Sequence, residues 1–351
     1  MKILFAAQDP GSANALFPVI KKLSTKVSIN VLAAKYAVPM FARDKISFTD
    51  CTFYSDAELE RMFVAWKPEI VVLGASAGLS IEKRLTLIAR ARGIRTVSVI
   101  DYWSGYADRF GEKINKGFRY FPDYVCVIDR VMKKEFLALG VPAGAIVITG
   151  NPHLEDSVKK IRAKTKRVKN LLYISTPFSS LHPNPYPFNE FQVLQDVLEY
   201  PQRKDYGSVI VKLHPKEEEG KYDELIARYP GVSIRVVKDA DLYRLLGEAA
   251  LIIGTNSIVL LEASLAGKPV VSYEPGLSPK DDVLVSNQKG LSHAIYDKKD
   301  FYDYLSEYYR RKQWRPPAHT LQMLKKQYAD VHATQNIITF ITTIWRKIKR
   351  K

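Results

Sequence analysis

The 351 residues carry 53 Lys+Arg against 37 Asp+Glu, a formal net charge of +16, with 46% apolar and 26% charged residues. That balance excludes a disordered or collagen-like chain, and the length suits two domains, each large enough for its own core. The two cysteines, Cys51 and Cys126, cannot build a disulfide framework or a cysteine-based zinc site, and no apolar run approaches the ~18 residues that span a bilayer.

Met1 to Phe5 runs straight into a strand pattern, with no apolar signal region behind a basic start. The expectation is a cytoplasmic protein. Continuous apolar, β-branched runs at 2–7, 27–33, 69–73, 96–100, 124–128 and 145–149 predict strands. Helical periodicity falls between them at 13–23, 57–66, 81–91 and 131–139. Strands without alternation, separated by helices, predict a parallel sheet covered on both faces. After the first strand, Asp9-Pro10-Gly11-Ser12 opens a helix. Gly11 would let the backbone approach a ligand and Ser12 would cap the helix, giving an anion-friendly end; a plain N-cap is the alternative. Asp101-Tyr102-Trp103-Ser104-Gly105-Tyr106 follows a later strand. Apolar neighbours would raise the Asp101 carboxyl and suit it to general-base work, with the rings stacking on a sugar; alternatively Asp101 caps the next segment and the rings are core.

Residues 158–169 hold seven Lys/Arg and no acid, and read as a solvated basic linker. A second series follows, with strands at 171–175, 208–213, 232–237, 251–254 and 269–273 and helices at 189–198, 222–229, 242–249 and 258–266. A proline-rich loop, 177–187, follows its first strand. Lys212-Leu213-His214-Pro215-Lys216 ends the second strand. The cations suit a phosphate, and His214 could protonate a leaving oxygen; no second histidine stands at metal-ligand spacing. Asp239-Ala240-Asp241 reads as a helix N-cap rather than a metal motif. Gly254-Thr255-Asn256-Ser257 opens another helix, where amides and hydroxyls suit phosphate, and Glu262 follows within that helix as a candidate ribose ligand. The last helical run is predicted from 320 to 349. It ends in 346–351, with five Lys/Arg beside Trp345, and reads either as a solvated tail or as a contact for anionic lipid. The boundaries expected are 1–157, 158–169, 170–318 and 319–351: two doubly wound α/β domains of one architecture, a linker, and a closing helix with a basic tail. Ligand is expected in a cleft off the strand carboxyl ends. With the basic residues in two clumps, nucleic acid is not an expected partner.

The segment from Glu262 through Gly267-x-Pro269 resembles the donor-binding helix and strand of GT-B glycosyltransferases, and the likeness extends over nearly the whole chain. His214-Pro215 and Thr255-Asn256-Ser257 resemble the HP and Ser/Thr motifs of bacterial polysialyltransferases and related capsule enzymes. Gly150-Asn151-Pro152 is similar to the Gly-Asn turn of UDP-N-acetylglucosamine 2-epimerases, which share the fold. The acidic triplet of the polysialyltransferase family is replaced here by Asp101-Tyr102-Trp103. The resemblance implies two facing Rossmann-like domains with a C-terminal helix crossing back. It also implies a metal-independent glycosyltransferase of surface-polysaccharide assembly with no cofactor and a UDP- or CMP-linked donor. Glu262 would hold ribose; Thr255, Asn256, Ser257, Ser175 and Thr176 would hold the phosphates; and His214 with Lys212 would meet the developing charge. Asp101 would be the base, with Asp9 as substitute and Gly11 and Ser12 at the ligand. The acceptor would be a glycan or lipid-linked sugar, with the enzyme peripheral at the inner membrane face. The alternatives are an epimerase of the same fold and a non-catalytic nucleotide-sugar-binding component of a polysaccharide complex.

Overall fold

The computed structural model describes residues 1–111, 113–114, 117–163, 170–181, 184–201, 207–310 and 314–350. Residues 164–169 of the basic segment, and Lys351 of the tail, lie outside them. The chain forms two compact units, Met1–Asp156 with Lys326–Lys351, and Ser157–Lys325.

In the first unit the elements are β1 (Lys2–Ala7), α1 (Pro10–Leu23), β2 (Ser28–Ala33), α2 (Ala37–Arg43), β3 (Thr49–Asp50), α3 (Asp56–Trp66), β4 (Ile70–Leu73), α4 (Ile81–Ala91), β5 (Arg95–Val99) and α5 (Tyr106–Phe110). A short antiparallel hairpin follows, β6 (Lys113–Ile114) and β7 (Gly117–Phe118), then β8 (Tyr124–Val127), α6 (Arg130–Ala138) and β9 (Ile146–Ile148). The seven-stranded parallel sheet runs β3-β2-β1-β4-β5-β8-β9. Its strands read as apolar runs because both faces are buried. Ile3 and Phe5 point to the core containing α1, while Leu4 and Ala6 point to the one containing Leu59 of α3 and Leu85 of α4.

Helix α7 (Pro152–Ala163) leads into the second unit, whose elements are β10 (Asn170–Ile174), α8 (Glu190–Glu199), β11 (Ser208–Lys212), α9 (Asp223–Ile226), β12 (Ile234–Val237), α10 (Leu242–Glu248), β13 (Leu251–Gly254), α11 (Ile258–Leu265), β14 (Val270–Tyr273), α12 (Val285–Gln288), β15 (His293–Ile295) and α13 (Lys298–Arg310). Its six-stranded sheet runs β12-β11-β10-β13-β14-β15, the 3-2-1-4-5-6 order of a complete doubly wound Rossmann sheet. One face packs on α8 and α13, where Tyr273 stacks on Phe301 at 4.1 Å; the other carries Ile174, Ile252 and Val270 against α10 and α11.

Three sequence expectations change. The first half of the basic segment is the end of α7 rather than solvated linker, because Ile161 is buried in the core of the second unit while Lys159 and Arg162 stay exposed and Lys160 lies over the Tyr243 ring. The final run is two helices, α14 (Ala318–Tyr328) and α15 (Ala333–Lys349), separated at His332, whose φ is 56°. The turn seats Val331 against Gly150, where a Cβ would lie 2.4 Å from Val331 Cγ1. It also lets α15 send Ile337, Ile341 and Ile344 into the core of the first unit. Finally, Trp345 packs on that core and Lys349 pairs with Glu69 at 2.5 Å. Burial raises the Glu69 carboxyl, but Lys349 and the hydrogen bond from the Lys2 N–H outweigh it and carry it down to about 2. The apolar stripe of α15 is therefore used inside the protein, and among the described residues no helix is long and apolar enough to cross a membrane.

Candidate functional site

In each sheet the strand order reverses beside the first strand, between β1 and β4 in one unit and between β10 and β13 in the other. Ligands of open α/β sheets bind outside the carboxyl ends at such a point. Most of the residues singled out in the sequence stand on these ends.

In the second unit Ile174 pairs with Gly254, so the loops that begin at Ser175 and Thr255 leave adjacent strands side by side. Thr255 is 0% exposed, and neither its Oγ1 nor the buried Oγ1 of Thr176 has a hydrogen-bond partner among the described residues. An unmade hydrogen bond to a buried hydroxyl costs about 1–3 kcal/mol, which a bound oxyanion would recover. Ser257 caps α11, its Oγ accepting from the Val259 N–H at 3.3 Å, and Asn256 Nδ2 donates to Tyr186 OH at 3.1 Å.

Ser175 differs from expectation. It is buried, and its hydroxyl donates to Glu217 Oε1 at 2.7 Å and meets Tyr222 OH at 2.6 Å, so it serves the interior. Glu217 also accepts from the His214 N–H at 2.6 Å and pairs with Lys221 at 2.7 Å. Lys221 in turn pairs with Glu190, which is fully buried. Burial works to raise the Glu190 carboxyl, but hydrogen bonds from Lys221 and Ser179 outweigh it and hold it below its ordinary value. This ionic knot fixes the loop of His214. His214 Nδ1 accepts from the Lys216 N–H at 3.1 Å, which puts the proton of the neutral ring on Nε2. Lys212 Nζ turns back to the Leu213 carbonyl at 2.7 Å. Asp241 caps α10 by accepting from the Arg244 N–H, as its place in the sequence suggests.

Glu262 sits in the second turn of α11 and is 1% exposed, more deeply placed than a residue on an open surface. If it holds a ribose, Glu262→Gln should weaken UDP or CMP binding about tenfold or more, the loss of one charge-assisted hydrogen bond. Calorimetry on the folded variant checks this, and unchanged affinity removes Glu262 from the site.

Glu274, which no sequence motif marked, follows β14 at 2% exposure. Burial, then the neighbouring Asp282, pushes its carboxyl up to about 8, against the lesser pull of Ser272. The folded state thus holds this proton more tightly than the unfolded chain. Its contribution to stability is complete below the ordinary glutamate range and is lost as pH rises through about 8. Stability should therefore decline over that interval, and Glu274→Gln should flatten the decline in denaturant titrations at several pH values.

In the first unit Asp101 follows β5, and one of its oxygens accepts from Arg109 Nη1 at 2.6 Å. The expected apolar surroundings are replaced by this ion pair. Arg109 is fixed by the Ala75 and Ser104 carbonyls, and Asn151 Nδ2 donates to the Asp101 carbonyl at 2.9 Å. Asn151 also caps the start of α7 through Oδ1, so the Gly-Asn turn positions Asp101. Gly11 is needed for a reason other than ligand approach: a Cβ there would lie 1.9 Å from Asp101 Oδ2. Ser12 is no cap. The N-cap is Asp9, with Pro10 beginning the helix, while Ser12 is buried, its Oγ accepting from the Ala75 N–H and meeting Ser76 Oγ. Asp9 accepts from the Ala77 N–H at 3.1 Å. The rings beside Asp101 are packing groups: Trp103 meets Tyr328 edge-on at 5.6 Å and donates to Asp129, and Tyr106 packs on Phe136. Among the described residues no group of three or more potential ligands gathers for a metal.

No protein-family model matches the chain, and no curated protein matches it. Solved structures do. UDP-GlcNAc 2-epimerase from Neisseria meningitidis, bound to UDP-GlcNAc, superposes with TM-score 0.69 at 14% identity over 98% of this chain and 100% of its own. HepE of Anabaena, in complex with UDP and glucose, gives 0.60 at 14% identity over 98% and 100%. The glycotransferase of kitacinnamycin gives 0.60 at 12% over 97% and 97%. The chain thus has the α/β fold of two Rossmann-like domains that these epimerases and glycosyltransferases share, with a closing C-terminal helix, as its motifs suggested.

Proposed function

We propose that this protein is a metal-independent glycosyltransferase that moves a sugar from a UDP- or CMP-linked donor to a glycan or lipid-linked acceptor in surface-polysaccharide assembly. The observation that carries the nucleotide-sugar reading is the pair of buried, unpartnered hydroxyls of Thr176 and Thr255 at the switch point of the second sheet, beside the N-terminus of α11. Phosphate oxygens satisfy both. UDP or a UDP-sugar in the Neisseria and Anabaena neighbours supports the same class of ligand.

In this reading Asp101, or Asp9 in its place, takes the proton of the acceptor hydroxyl. The acceptor oxygen bonds to the anomeric carbon as the bond from that carbon to the phosphate oxygen breaks, the electron pair leaving with the phosphate. The amides of the α11 N-terminus, Thr255, Lys212 and His214 Nε2–H meet that charge, and such stabilisation is the largest catalytic contribution. His214→Ala should then lower kcat about a hundredfold with little change in donor affinity, whereas a loss confined to affinity would make it a binding residue. Any membrane contact is electrostatic, through Arg346, Lys347 and Arg350, and should vanish from vesicle sedimentation at high salt.

A second reading, nucleotide-sugar epimerisation, is favoured by the better superposition on the Neisseria epimerase, 0.69 against 0.60 for the glycotransferase. One assay separates them: the full chain with UDP- and CMP-sugars in EDTA, with and without glycan acceptors. Acceptor-dependent release of nucleotide supports transfer. A new sugar epimer without acceptor supports epimerisation, and binding without turnover supports a non-catalytic component. No nucleotide binding removes all three.

A further inference from the structure

A cavity of about 380 Å³ lies wholly within the first unit, off the carboxyl ends of β1, β2 and β3, lined by Gln8, Lys35, Thr52, Tyr54, Ser80 and Arg84 among others. This volume suits a monosaccharide-sized ligand. The cavity reaches the N-terminus of α4, where Ser80 has the extended backbone of an N-cap but makes no side-chain capping bond. The Ser80 hydroxyl is 0% exposed and, although it lies beside the Glu82 carboxyl, makes no hydrogen bond of good geometry. Glu82 itself is held by the Gln8 N–H and the Ser76 hydroxyl, and it does not line the cavity.

The charges are asymmetric. Asp56 also lines the cavity, and Arg84 spends its Nε on it and one Nη2 bond on the Tyr54 carbonyl, so the two charges offset while donors remain on the guanidinium. Lys35 has no ion pair among the described residues. Its backbone is held at a φ of 48°, with its N–H on Thr52 Oγ1 at 2.8 Å. The Cys51 thiol in the lining is inert, since burial and then Asp50 push it up to about 12.

We propose that this cavity is a second ligand site, taking a sugar-sized molecule whose phosphate or carboxylate lies between the α4 N-terminus, Ser80 and Lys35, with its polar ring against Gln8, Thr52 and Tyr54. An oxyanion supplies the well-placed acceptor that the Ser80 hydroxyl lacks and a counter-charge for Lys35, beside a helix start at which Glu82 already serves its own N–H. The site does not depend on how the second unit is used.

Calorimetric titration of the full chain with glucose 6-phosphate, glucuronate and neutral glucose tests it, with and without UDP. At least one anionic probe should bind, glucose should bind at least about tenfold more weakly, and Lys35→Gln and Ser80→Ala should each weaken the anion about tenfold. UDP binding should be unchanged in both variants. Which probe binds tells a phosphate from a carboxylate ligand. Absence of binding by both anions, equal binding of glucose, or full affinity in the two variants overturns the proposal.

Discussion

Asp101→Asn is expected to lower sugar transfer about 10²- to 10⁴-fold, the usual contribution of a positioned general base, while nucleotide affinity stays within about twofold. The substitution keeps size and shape, and the Asn151 bond to the residue-101 carbonyl is a backbone contact that survives it. What is lost is a charge that both pairs with Arg109 and, in the proposed reaction, accepts a proton. The two roles separate experimentally. If Asp101 only anchors Arg109, the variant unfolds more easily but keeps its turnover once folded. If it is the base, the folded variant keeps its stability and its nucleotide affinity but loses turnover. Gly11→Ala provides a second approach, because its methyl group would occupy the space of Asp101 Oδ2 and must displace that carboxylate. It should reproduce the loss of transfer, and an active Gly11→Ala enzyme would move the base to Asp9.

Lys221→Met should destabilise the second unit by about 3–5 kcal/mol, since it strands the two buried carboxylates of Glu190 and Glu217 without their shared cation. For a unit of this size that corresponds to a fall in Tm of roughly 6–20 °C. The pH dependence follows from Glu190, which titrates below its ordinary value in the folded state. Its stabilisation is present above the ordinary glutamate range and is lost as pH falls through the lowered value. The gap between wild type and Lys221→Met should therefore be widest near neutrality and narrow on acidification. Thermal unfolding followed at pH 7 and near pH 4 measures both. A gap below about 1 kcal/mol at neutral pH would mean that water or rearrangement already compensates the pair. Because the knot also fixes the His214 loop through Glu217, some loss of turnover should accompany the loss of stability.

The sequence by itself determined the architecture, because the signals for it are local. Strands β1, β4, β10 and β13 are apolar on both faces and therefore read as runs, and Asp241 and Ser257 announce the helices they cap from one position away. The placing of Asp9, Asp101, His214 and Thr255 at strand ends follows from the same runs. Two-residue β3 and the short β15 carry too little pattern to be read, and the break at His332 depends on where Val331 must sit. Tertiary structure alone decided what each polar group does. Asp101 meets Arg109 through the turn of α5, Asn151 reaches Asp101 across fifty residues, and Ser175 is claimed by Glu217 from the neighbouring strand end. Such partners are set by which strand ends lie adjacent in the sheet, and strand order is a non-local property that periodicity along the chain does not encode. Gly11 shows the difference most sharply: the residue type told that something approaches closely, and only the packed structure identified it as the Asp101 carboxylate.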